Sequence, residues 1–415
     1  MCSSCLEMQR GQTMKYKLRF TLFFAAMTVF NLAANFAHPV TPTIIQELGL
    51  PDYMFGLMFA MMMVSNFLFS PFWGKINTVI ASRTTLLIGC TGYAAAQLGF
   101  AYGTTQGVIL AARILAGIFV GGIYVSFLTY VINMAKPEDQ GKFLTYSATI
   151  QSVFGAFGYL VGGFLGEYSI RMTFLLQTAA LALAGIAFYV ICLPDNLQTE
   201  KVPVKQIIRQ SNPLQAFLDG RCFMTLSFLM LFAVNILTNF GNTGFDQVFN
   251  YYLKDQLALT SSYNGIIKAA VGLISFVFNM TLCLWIIRKT DTGKSMVVIT
   301  AVCTVASVGA LLLPQIGMFI ACSVLAYAGY SVSLPVLQHM VAEKADSVQK
   351  NLVMGFYNAT KSLGSVIGSL MAGFLYGIYV KLPFFVVVIA YGISVVTVMG
   401  YLACENRKEQ NILSA

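Results

Sequence analysis

The chain has 415 residues, 57% of them hydrophobic and only 10% charged, with a mean hydropathy of +0.74. A soluble fold of this length needs more charge to cover its surface, so the composition excludes that class and predicts an integral membrane protein. The net charge of +9 then belongs to loops beside anionic lipid and carries no expectation of nucleic-acid binding.

Twelve apolar runs are long enough to cross a bilayer as helices: 20–42, 53–73, 84–103, 107–134, 143–166, 172–193, 222–250, 263–287, 295–313, 317–342, 352–379 and 383–404. The expected fold is an all-α integral membrane protein of twelve transmembrane helices in two six-helix halves. Residues 1–19 form a cytoplasmic N-terminal segment, 20–193 the first bundle, 194–221 a cytoplasmic linker, 222–404 the second bundle and 405–415 a cytoplasmic tail. A short interfacial helix is expected in the linker around 204–210. With the N-terminus inside, 19 of the 25 basic residues fall on the cytoplasmic side, which places both termini there. A bacterial-type cytoplasmic (plasma) membrane is the expected location. Cys2 and Cys5 form a CxxC without a second pair, a weak metal signal, and Met14 is an alternative start.

On the first span, Asn31, Asn35 and His38 are spaced by four and three, one face of a helix. On the fourth lie Arg113 and Tyr124, on the fifth Gln151. The seventh carries Asn235, Asn239, Asn242 and Asp246 at steps of four, three and four, a polar stripe in an otherwise apolar helix. That pattern predicts a helix facing a water-filled cavity. Asp246 is the only carboxylate inside an apolar run, and an acid there is costly unless it meets water or a partner. Further candidates for the cavity wall are Tyr327 and Tyr330 on the tenth span and Asn358 and Lys361 on the eleventh. Lys268 lies five residues from Tyr263, and both snorkelling to headgroups and cavity duty fit it. Gly117, Gly121, Gly158, Gly162, Gly364 and Gly368 are expected to permit close helix contact.

The halves repeat. At an offset of 210, Gly107 falls on Gly317, Gly158 on Gly368 and Gly163-Phe164-Leu165 on Gly373-Phe374-Leu375; at 209, Gly56 falls on Gly265. Such repeats commonly enclose a site near the midplane.

Several motifs carry a family resemblance over nearly the whole chain. They are Asn35 to Pro42 (NFAHPVTP), Arg113 to Gly117 (RILAG), Gly158 to Gly163 (GYLVGG) and Ser169 to Phe174. The chain resembles the major facilitator superfamily, within it the drug:proton antiporter-like exporters of twelve helices. The resemblance implies a role for Arg113 in proton coupling. Two positions depart from the pattern: Tyr159 stands where the family has proline, and Thr78 where the loop after the second helix has an acid, which puts the family's cytoplasmic latch in doubt.

The expected function is secondary active transport by alternating access, as proton-coupled efflux of small molecules. Asp246, His38 and Arg113 are the proton-coupling candidates, and no cofactor or metal is expected. Transport of organic anions, sugars or metabolites on the same scaffold is the alternative, and a lipid flippase or non-transporting membrane protein the reading from another class. No GxxxxGK[ST] run offers an ATP site, and no paired carboxylates or histidine clusters suggest an enzyme. The expected partners are a small-molecule substrate, protons and the lipid bilayer, around a monomer.

Overall fold

A computed structural model describes residues 3–195, 212, 223–345 and 350–414; the proposed linker helix and the CxxC cysteine Cys2 fall outside them. Thirteen helices are present among the described residues, twelve of them long: α1 Ser3–Ala34, α3 Met54–Val79, α4 Ser82–Tyr102, α5 Gln106–Met134, α6 Pro137–Tyr168, α7 Ile170–Ile191, α8 Leu226–Asp255, α9 Ser261–Lys289, α10 Thr292–Leu312, α11 Ile316–Lys344, α12 Lys350–Ile378 and α13 Leu382–Ser414. The short helix is α2, Thr41–Glu47. Eleven of the long helices are apolar enough to span a membrane on hydropathy alone; α4, which carries Ser82, Arg83, Thr84 and Thr85, is the more polar twelfth.

Hydroxyl and carboxylate caps start several helices. Thr105 accepts from the Val108 amide, Ser169 from Met172, Thr225 from Phe228 and Asp291 from Lys294. The first span departs from the sequence expectation. Helix α1 ends at Ala34, residues 35–40 form turns, and α2 follows. Pro39 and Pro42 explain this, because each lacks an amide donor and disfavours helical geometry in the residue before it. The outer segments also differ: α1 and α13 continue through residues that the sequence assigns to a separate N-terminal segment and tail.

Each half repeats the same packing. In the first, α1 lies against α6 and α7, and α4 against α5 and α7; in the second, α8 lies against α12 and α13, and α10 against α11 and α13. Glycine makes the equivalent contacts close. A β-carbon at Gly158 would stand 2.3 Å from the Leu32 carbonyl, and one at Gly368 2.3 Å from that of Phe240, so only hydrogen fits at either place.

The halves meet through α6 against α9 and α3 against α12, and the contact lies at the end away from the termini. There Tyr251 donates to Asp52 at 2.6 Å, the Ser262 hydroxyl to Glu167 at 2.5 Å and Ser369 to the Gly56 carbonyl at 2.7 Å. Phe55 stacks on Tyr251 with ring centroids 4.6 Å apart. This end is closed.

At the opposite end, the loop where the family's acid is replaced by Thr78 is held by a different carboxylate. Asp195, 3% exposed, accepts from the Ser82 amide and hydroxyl, both at 2.6 Å, and from the Asn133 amide at 3.3 Å. It thereby caps α4 within its own half. Asp195→Ala leaves those donors unpaired and is expected to cost about 1–2 kcal/mol, read as a lower melting temperature in detergent.

Candidate functional site

The ionisable groups of α8 and α9 meet beside the closed end. Lys268 Nζ pairs with Asp246 Oδ1 and donates to Tyr327 Oη at 2.7 Å, and Tyr327 Oη donates to the same carboxylate oxygen at 2.9 Å. The ammonium also lies 4.2 Å from the Tyr327 ring centroid and 5.4 Å from that of Phe249, a favourable setting for a cation. Lys268 is 7% exposed and Asp246 25%, so the carboxylate keeps a solvent-facing edge while the lysine is sealed. Lys268 takes neither an exposed position toward headgroups nor an open one: α9 turns it inward onto Asp246, whereas Tyr263 is 54% exposed. Lys268 is the member of this charged group that the sequence left unassigned. Its signal was a basic residue within an apolar span that also had an acid to meet.

The first half reaches this group through Tyr159, whose ring centroid lies 5.8 Å from Lys268 Nζ. His38 stacks on Tyr159 at 5.2 Å with an interplanar angle of 9°. The residue that departs from the family's proline is therefore the bridge between His38 and the ion pair. His38 itself does not share a helix face with Asn31, because both it and Asn35 sit in the turns after α1. Its backbone carbonyl accepts from Asn250 at 3.2 Å, and Asn264 donates to Asn250 in turn, so this turn belongs to the contact between halves.

Arg113 is 4% exposed. It donates to Thr41 Oγ1 at 3.4 Å and lies over the Phe100 ring at 3.9 Å, while its Nε has no partner among the described residues. A guanidinium buried with so little compensation is destabilising unless function retains it. Arg113→Gln is accordingly expected to raise the melting temperature while lowering transport, a pair of measurements that a merely structural arginine would move in the same direction.

The asparagine stripe is tighter than the sequence suggests. Asn235 is fully buried and donates to the Tyr357 carbonyl at 2.7 Å and to Thr360 Oγ1 at 2.9 Å. Asn239 donates to Asn235 and accepts from Tyr330 Oη at 2.7 Å. These two join α8 to α12 and α11 instead of facing water. A single stripe can serve a cavity or a helix neighbour, and periodicity does not distinguish them. Asn31 and Asn35 likewise bond back to the helix, to the Met27 and Asn31 carbonyls, and Tyr124 donates to Asn31 at 3.3 Å. Asn242, Gln151 and Lys361 are partly exposed and Asn358 exposed, as Asn35, His38, Tyr124 and Tyr330 are in part. His339 is 39% exposed beside Glu343.

Comparisons with known proteins agree with this architecture. The Major Facilitator Superfamily model matches residues 20–317 and 231–415. Multidrug resistance protein 1 of Bacillus subtilis (strain 168) is 22% identical over 397 residues, which cover 94% of this chain and 97% of that protein. Quinolone resistance protein NorA of Staphylococcus aureus is 23% identical over 95% of this chain and 99% of its own. Among solved structures, a bacterial homologue of the human lysosomal transporter Spinster, inward-facing and occupied, superposes with a TM-score of 0.75 at 11% identity, covering 92% of this chain and 96% of that one. The human organic anion transporter MFSD10 gives 0.66 at 15%, covering 92% and 99%. With twelve long helices in two repeated halves and a family model spanning nearly all of the chain, this protein belongs to the Major Facilitator Superfamily and is a membrane transporter.

Proposed function

We propose that this transporter exports small amphipathic molecules across the cytoplasmic membrane in exchange for protons. The observation that carries the reading is the Asp246–Lys268–Tyr327 group at the closed junction of the halves. The basic-residue bias puts both termini in the cytoplasm, so the closed end faces outward and Asp246 presents its edge to a cavity open on the cytoplasmic side. In this conformation the carboxylate is held by Lys268 and Tyr327. Protonating it in the outward-facing state removes the counter-ion of a buried lysine. Proton uptake on Asp246 is thereby tied to the packing beside the junction, and exchange requires such a tie between proton and conformation. Tyr159 and His38 link that event to the first half, and Arg113 beneath them supplies the field of a fixed cation. The names of the curated relatives, multidrug and quinolone resistance proteins, support the exporter direction. A monomer suffices for this scheme, since every group it uses belongs to one chain.

The test uses the purified chain in proteoliposomes with an imposed pH gradient. Substrate movement that follows the gradient and is abolished by a protonophore is expected. Movement indifferent to both would remove proton exchange.

A further inference from the structure

The charges inside the spans do not cancel, and the imbalance falls on one side chain. Asp246 is the single acid within the apolar runs, and its carboxylate is already held by Lys268 and Tyr327. Arg113 is sealed at 4% exposure under Thr41 and Phe100, out of reach of a solute. Lys361 differs from both. On α12 it lies on the side away from Leu363, Ile367, Phe374 and Ile378, whose exposed apolar side chains suit lipid. The same inner side carries Asn358, one turn away and exposed, and Ser365, partly exposed. Lys361 is partly exposed, and among the described residues it has no carboxylate within ion-pair distance. Tyr330 reaches this neighbourhood through Asn239, which lies against Gly364, one turn from Lys361.

An ammonium inside a bilayer costs several kcal/mol unless it meets water or an anion. Among the described residues no anion meets Lys361, and its partial exposure leaves the ammonium open to a solute from the inner side, where low-dielectric surroundings strengthen its field. A cationic solute would need a free acid, and the one acid present is taken.

We propose that Lys361 is the anchor for the transported molecule, and that this molecule is an organic anion. Its carboxylate or sulfonate pairs with Lys361 Nζ beside the Asn358 amide, and its apolar body lies toward the Tyr330 ring. This assignment rests on the exporter reading above and adds the sign of the substrate's charge.

The experiment loads proteoliposomes containing the full chain with fluorescein, an aromatic carboxylate, or with tetraphenylphosphonium, a lipophilic cation, under the same pH gradient. Wild type is expected to move fluorescein. Lys361→Gln is expected to raise its KM at least tenfold, and Lys361→Arg, which keeps the charge, to stay within about threefold. Equal amounts of folded protein are verified by size-exclusion chromatography, and Lys361→Arg guards against a loss caused by misfolding. Fluorescein transport by Lys361→Gln at the wild-type KM overturns the assignment. Proton-driven movement of tetraphenylphosphonium without fluorescein also overturns it and leaves the exporter reading standing. Movement of neither probe overturns both.

Discussion

Asp246→Asn is expected to cut proton-driven transport by at least tenfold and to flatten its dependence on pH, while exchange of substrate down its own gradient continues. Asparagine keeps the shape and the hydrogen bond from Tyr327 but cannot take or release a proton. It also leaves the Lys268 ammonium, 7% exposed, without its counter-charge. Removing one partner of a buried pair typically costs about 3–5 kcal/mol, so the single variant should also melt earlier. The double variant Asp246→Asn with Lys268→Gln separates the two effects. It removes both charges and is expected to recover most of the lost stability, with gradient-driven transport still absent. A single variant with the parent's pH profile and rate would take Asp246 out of the coupling mechanism.

The second large effect concerns the closed junction. Gly163 and Gly265 bring α6 and α9 together so closely that a β-carbon at Gly163 would stand 2.5 Å from the Ser261 carbonyl and one at Gly265 2.6 Å from that of Tyr159. The opposing atoms are backbone and cannot swing aside. Gly265→Leu therefore has to push the helices apart, and overpacking of this kind costs about 1–3 kcal/mol. Each 1.4 kcal/mol is tenfold in an equilibrium, which is enough to shift a transporter toward its other conformation. We expect transport to fall below a tenth of the parent's. In a cysteine-depleted background, Asn264→Cys should be protected from a water-borne thiol reagent added outside, since Asn264 is 3% exposed. With Gly265→Leu added, it should react at least ten times faster. Unchanged transport and unchanged protection together would mean that this contact does not separate during the cycle.

Helix count, the division into halves and the family were set by the sequence, because each depends on one-dimensional properties. Runs of about 20 apolar residues have one low-energy arrangement in lipid, where every backbone donor must be satisfied within its own helix. The repeat between Gly158 and Gly368 could be read for a related reason: a contact that admits only hydrogen leaves its mark in residue identity. The lone carboxylate of Asp246 was visible because such residues are rare in apolar spans.

Tertiary structure decided the partners. Nothing in the spacing of Asn235 and Asn239 tells whether their face meets water or a neighbouring helix, and packing against α12 made them structural. The rotation of α9 about its own axis turned Lys268 toward Asp246 instead of toward headgroups, and that rotation is set by Gly265 and Gly272 lying against α6. Tyr159, a mere departure from a motif in one dimension, gains its role only where the two halves touch. Composition and periodicity fix which side of a helix is polar; which polar groups meet depends on how helices far apart in the chain are rotated against one another, and that is a property of close packing in three dimensions.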